Sequence, residues 1–121
     1  LELDGIRRLV ITRGLESVSF FSSLQREQRE RLAEIMEVQY ASSQEYLFHE
    51  GDAADSMYVV IEGFVSCFMA DFGDEPIAEF HPRSDRPWFG ELAMTGKAPR
   101  SQTARAREPS KLFVVRRSDF V

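Results

Sequence analysis

The strongest constraint on the fold is a change of rhythm at residue 38. From Val38 onward, β-branched and aromatic residues come in short runs: Tyr46 to His49, Ser56 to Glu62, Phe64 to Ala70, Ile77 to Phe80, Ser101 to Arg107 and Leu112 to Arg116. Gly-Asp, Glu-Gly and Phe-Gly-Asp-Glu turn signals punctuate the first of these runs. Short strands at such regular spacing predict an antiparallel β-roll of the jelly-roll or double-stranded β-helix kind. No internal repeat or low-complexity tract competes with this reading.

Before residue 38 the period is helical. Ile6, Leu9, Val10 and Arg13 fall at helical spacing within residues 4 to 13, and Gly14 follows as a stop. In QREQRERLAEIMEV (25 to 38), Leu32, Ile35 and Met36 form one apolar stripe and Glu27 to Arg31 an i,i+4 charge pair. Phe20 and Phe21 lie between the helices and are expected to plug them onto a sheet. The chain thus reads as mainly β with flanking helices: one domain over 1–121, with a helical segment 1–37 and a β-roll 38–117. At 121 residues and 43% hydrophobic it has apolar material for a single core.

Composition narrows the function. The lone Cys67 has no internal disulfide partner and reads as a buried strand thiol in a reducing compartment. No apolar run is long enough to cross a bilayer and no signal-peptide pattern is present, so a cytoplasmic location without membrane contact is expected. Residues 1–80 hold 6 basic against 16 acidic side chains, and residues 81–121 hold 9 against 4. An acidic chain is a poor nucleic-acid binder, and none is expected as a partner. Arg105, Arg107, Arg116 and Arg117 read as ordinary solvated positions. His49 and His81 lack metal-ligand spacing, so no metal site is expected. Asp52 with Asp55, and Asp74 with Glu75, sit in turn segments where solvated carboxylates are common, and no catalytic constellation stands out. Trp88 is expected in a loop packed on the roll, and Tyr58 in the core or between strands.

One stretch breaks the strand pattern: FGELAMTGKAPRSQT, Phe89 to Thr103. Gly90 lets the backbone turn tightly and approach a ligand. Glu91, Leu92 and Ala93 have the composition of a first helical turn, whose outward N–H groups favour an anion. Pro99 ends any helix there and biases Ala98 toward extended geometry. Arg100, nine residues beyond Glu91, can swing back over that seat. Its planar fork of donors suits two phosphate oxygens. Glu91 would repel phosphate but could accept a hydrogen bond from a sugar hydroxyl.

FGELA, a six-residue spacer and an arginine resemble the phosphate-binding cassette of cyclic nucleotide-binding domains, nearest to those of cyclic-nucleotide-dependent protein kinases. FHEGDAADSMYVVIEG, Phe48 to Gly63, is similar to the same family's paired strands around a Gly-Asp turn, and the likeness spans roughly residues 18 to 120. The resemblance implies a regulatory, non-enzymatic domain with no cofactor beyond its ligand, cAMP or cGMP. It implies that Arg100 holds the exocyclic phosphate oxygens and Glu91 the ribose 2′-hydroxyl. The backbone amides of Gly90, Leu92, Ala93 and Ser101 complete the site it implies, with Phe89 and Gln102 flanking. Gln102 stands where kinase members usually carry alanine, and HPRSDRPW replaces a Gly-Asp approach. Ser101 replaces the alanine of cAMP-selective kinase sites, and a hydroxyl there can serve either purine, so the choice stays open.

By the same resemblance, ligand entry moves the cassette, with Leu92 and Met94 as couplers, and passes the signal to a kinase catalytic subunit or kinase domain. Two lid helices would follow RRSDF; they are not in the sequence, which reads as an excised fragment expected to bind more weakly than its parent. The alternatives are a degenerate member of the same fold acting as a protein interaction module, and a jelly-roll enzyme.

Overall fold

A computed structural model of the chain describes residues 25–35, 37–84, 87–94 and 98–120. The helix expected over 4–13 and the anchors Phe20 and Phe21 lie outside the described residues, as do the side chains of Leu32, Ile35, Met36 and Met94. Helix α1 spans Arg26–Ile35. Just before it, the Gln25 N–H donates to Gln28 Oε1 at 2.8 Å, satisfying one of the amides that a helix start leaves unpaired.

Eight strands follow among the described residues: β1 Glu37–Ala41, β2 Tyr46–Phe48, β3 Ser56–Glu62, β4 Val65–Phe68, β5 Ala78–Phe80, β6 Trp88–Phe89, β7 Thr103–Ala106 and β8 Ser110–Arg116. They form two four-stranded sheets, ordered β1-β8-β3-β6 and β2-β7-β4-β5, with every pair antiparallel. This is the expected antiparallel roll. The turn glycines work as the sequence suggested. Gly63 has φ +97, and a Cβ there would lie 2.6 Å from Ser110 Cα and 2.7 Å from Pro109 O. Only glycine lets the β3–β4 hairpin pass so close to the start of β8. Ser110 Oγ seals the contact by accepting the Phe64 N–H at 3.1 Å and donating to Glu108 O at 2.8 Å.

Strand β3 is a continuous apolar run, and Met57, Tyr58, Val59 and Val60 are all buried. Strand β8 matches it with Leu112 to Val115 fully covered. Between the sheets, Val60, Val65, Cys67, Ala104, Ala106, Leu112 and Val114 make one core with Tyr58, Phe80 and Phe89. The three rings interlock, with Tyr58 stacked on Phe89 at 5.4 Å and Phe80 tilted against Phe89 at 5.1 Å between centroids. Cys67 and Tyr58 are therefore core residues, as expected.

Three expectations are corrected. Arg105 is not an ordinary solvated side chain: it is half-buried, its Nε is covered, and its guanidinium lies 5.4 Å from the Tyr46 ring centroid. Trp88 is not in a loop: it pairs with Val59 as part of β6 and is 5% exposed. A two-residue strand carries no periodic pattern to find, and here it is set by its neighbour β3. Arg117 is not a plain solvated side chain. It is partly buried, and its Nη1 donates to the carbonyls of Ala93 at 3.1 Å and Ala54 at 3.4 Å. Arg116 does lie at the surface, paired with Glu37 at 3.1 Å.

Candidate functional site: a buried guanidinium under a short turn

Strand β6 ends at Gly90, whose φ of +81 throws the chain into a single 3-10 turn, Glu91–Met94. The turn is closed by the Ala93 N–H donating to Gly90 O at 3.1 Å. The amide of Ala93, one of the expected seat donors, is thus already engaged within the turn. A Cβ on Gly90 would sit 2.9 Å from Arg100 Nη1 and 3.3 Å from Ser56 O. The glycine is needed because the guanidinium lies directly against the backbone there.

Arg100 is held from three sides. Its backbone N–H donates to Asp52 O at 2.8 Å, and its carbonyl accepts from the Gly51 N–H at 2.8 Å. The Gly-Asp turn between β2 and β3 therefore fixes the residue. Its guanidinium carbon stands 4.0 Å above the Phe48 ring and 5.8 Å from that of Tyr58. Nη2 donates to Ser56 Oγ at 3.2 Å.

The balance of this environment is unfavourable for a cation. Arg100 is 6% exposed, and burial pulls its pKa below the ordinary value, opposed by Tyr58, Asp55 and Asp52. Among the described residues no carboxylate is within ion-pair distance of it, and its buried Nε has no hydrogen-bond partner. An arginine desolvated this far without a counter-charge is costly unless an anion joins it. The face of Phe48 offsets part of that cost.

All eight residues expected at the site, Phe89, Gly90, Glu91, Leu92, Ala93, Arg100, Ser101 and Gln102, line one cavity with Phe48, Ala54, Cys67, Ala78, Phe80, Ala98 and Pro99. The cavity volume is about 130 Å³, and the cavity is open on one side. That is close to the roughly 150 Å³ of an engineered apolar cavity that takes up benzene, so a ring-sized group fits inside. Leu92, by contrast, is 67% exposed and stands at the mouth. Ser101 is exposed and Gln102 half-buried; neither side chain makes a hydrogen bond among the described residues. Cys67 lies in the cavity wall, and burial, with the Glu91 carboxylate, pushes its thiol up to about 12.

Three contributors were not visible in the sequence: Phe48 under the guanidinium, Ser56 as its hydrogen-bond partner, and Arg117 on the far end of the turn. A serine in a strand run and an aromatic before a turn look like structure alone. The histidines belong elsewhere: His49 stacks on Tyr46 at 4.6 Å and His81 on Phe64 at 5.9 Å. Asp52 is a turn residue, as expected, its Oδ2 accepting the His49 N–H at 2.9 Å.

Comparison with known proteins gives the family. The family model for the cyclic nucleotide-binding domain matches residues 38–121. The chain is 32% identical over 114 residues to a cAMP-dependent protein kinase regulatory subunit of Emericella nidulans, covering 94% of this chain and 27% of that protein. It is 34% identical over 92 residues to the type II regulatory subunit of Drosophila melanogaster, covering 76% and 24% respectively. The chain thus spans about a quarter of the length of these relatives. Among solved structures, a cyclic nucleotide-binding-like protein from Brucella abortus superposes with a TM-score of 0.77 at 28% identity, covering 91% of this chain and 93% of that one. This chain belongs to the cyclic nucleotide-binding domain family, and it is homologous to the regulatory subunits of cAMP-dependent protein kinases. No helix among the described residues is long and apolar enough to cross a membrane.

Proposed function

We propose that the domain binds a 3′,5′-cyclic nucleoside monophosphate, cAMP or cGMP, in the cavity beneath the turn Glu91–Met94. The observation that carries this is the Arg100 guanidinium, buried and lacking both a counter-ion and a partner for Nε. A singly charged cyclic phosphodiester supplies both. Its exocyclic oxygens take the two-pronged face of the guanidinium, with the backbone amide of Ser101 as a further donor. Glu91 accepts from the ribose 2′-hydroxyl. The apolar wall of Phe80, Phe89 and Ala78 accommodates ring surface, and Ser101 and Gln102 face the ligand at the mouth.

Binding is the whole of the chemistry here: the domain is regulatory, not catalytic. A ligand alters the protein only through its different affinities for two arrangements. The exposed Leu92 rides on the turn that closes over the phosphate, and is the side chain through which a shift of the turn passes to a helix packed outside it. The homology to kinase regulatory subunits supports a kinase catalytic subunit or kinase domain as the effector. A degenerate fold that has lost its nucleotide would have no reason to keep a buried, unpaired arginine.

Isothermal titration with cAMP, cGMP and the corresponding 5′-monophosphates tests this. Saturable binding of a cyclic ligand, with the doubly charged 5′-monophosphates far weaker, is expected. Absence of binding by both cyclic nucleotides would overturn it.

A further inference from the structure

We infer that Arg117 is a positioning residue for this ligand seat, holding the turn Glu91–Met94 from the side opposite Arg100. The inference rests on the cyclic-nucleotide reading of the cavity and adds a residue outside the cassette to it. A single 3-10 turn has little stability of its own, because one closing hydrogen bond cannot repay the ordering of its backbone. Something beyond the turn must fix it.

Arg117 lies immediately after β8 and opens the short turn Arg117–Phe120. Its backbone N–H donates to Asp55 O at 2.8 Å, which anchors the residue to the approach to β3. From that anchor Nη1 reaches Ala54 O at 3.4 Å and Ala93 O at 3.1 Å. One cation thus joins two carbonyls on separate segments. A positive group at the carbonyl end of a turn is favoured by the alignment of its peptide dipoles.

The segment Ala54–Ser56 is shared between the two arginines. Arg117 grips Ala54 and Asp55, while Arg100 grips Ser56 through Nη2 at 3.2 Å. Gly90, at the amide end of the turn, packs on Arg100; Ala93, at its carbonyl end, is tied to Arg117. The turn is therefore strung between two guanidinium groups that share one backbone support. Losing the Arg117 side chain would leave the β-roll ladder intact and release the carbonyl end of the turn together with the carbonyl of Ala54, loosening the seat that the turn forms over the ligand.

Arg117→Met keeps much of the apolar stem and removes the donors, whereas Arg117→Lys keeps a donor and the charge. Two readouts decide. In ligand-free protein, amide hydrogen exchange at Ala93 should quicken about tenfold in Arg117→Met while Val59 and Val114 in the core are unchanged, as expected for loss of one charge-assisted hydrogen bond. Titration with cAMP or cGMP should show affinity about tenfold weaker in Arg117→Met and partly restored in Arg117→Lys. Unchanged exchange at Ala93, or exchange that quickens equally throughout the core, would overturn the inference, because the residue would then be passive or merely structural. A wild-type protein that binds neither nucleotide would sink the ligand assignment, and the Ala93 exchange would still decide the role of Arg117.

Discussion

The amide of Gly51 donates to the carbonyl of Arg100 at 2.8 Å, and the amide of Arg100 returns a bond of the same length to the carbonyl of Asp52. Residues far apart in sequence are thereby locked in register, and the arginine's side chain is launched over Phe48 from a fixed backbone. The Gly-Asp turn therefore supports the proposed binding site from outside the Phe89 to Thr103 stretch.

The glycines should not be equally sensitive. A Cβ on Gly51 would meet nothing within 4 Å, so Gly51→Ala costs only the strain of φ +91, about 1–2 kcal/mol. Gly63→Ala drives a Cβ into the Ser110 backbone and Pro109 O, which must shift. Its cost should be larger, about 3 kcal/mol or more. Urea denaturation of the two variants checks the order; equal midpoints would contradict it.

Gly90→Ala should act on binding more than on folding. The atom it confronts at 2.9 Å is Arg100 Nη1, the end of a side chain that can move, with Ser56 O next at 3.3 Å. Moving the guanidinium off its seat should weaken cyclic nucleotide binding by about tenfold or more, with a stability loss of about 1–2 kcal/mol from the positive φ. Titration and denaturation of the one variant give both numbers.

Glu91→Gln should reduce affinity less than any change at Arg100, because it keeps an acceptor for the ribose hydroxyl. On that background a 2′-deoxy ligand should lose little further. Competition titration of the four protein–ligand pairs forms a double-mutant cycle whose coupling term reads the Glu91–hydroxyl contact.

Cys67 gives a pH dependence with a definite sign. Its thiol is raised from 9.0 to about 12 by burial, so the folded state keeps its proton where the unfolded chain has lost it. The stabilisation is complete below pH 9 and is lost as pH rises toward about 12, with a slope approaching about 1.4 kcal/mol per pH unit. Thermal melts of the wild type above pH 9 should therefore fall more steeply than those of Cys67→Ala. At pH 8 the native thiol should resist alkylation until the protein is unfolded.

Much of the roll was legible in the sequence, for a physical reason. Strand β3 is a long apolar run bounded by a Gly-Asp turn and a glycine, and both signals are local. That Gly90, Glu91 and Arg100 come together was legible because a tight backbone approach and a buried guanidinium call for particular residue types. Trp88 was misplaced because β6 is defined by pairing with β3 and not by its own pattern. Arg117 was passed over because its partners are carbonyls, which every residue carries and no sequence displays. Ser56 and Phe48 were hidden for a similar reason: their roles exist only once Arg100 has folded across them.

Arg100 itself offers the most direct measurement. Removing a buried, uncompensated cation in favour of an apolar side chain of similar length should not destabilise the ligand-free fold, and should abolish the ligand's effect. Thermal denaturation of wild type and Arg100→Met, each with and without saturating cAMP or cGMP, should show a ligand-free melting temperature kept or raised in the variant. The ligand-induced rise should be present in wild type and absent in Arg100→Met. An Arg100→Met protein that still melts higher with cyclic nucleotide, by as much as the wild type does, would contradict the assignment of the phosphate to this guanidinium.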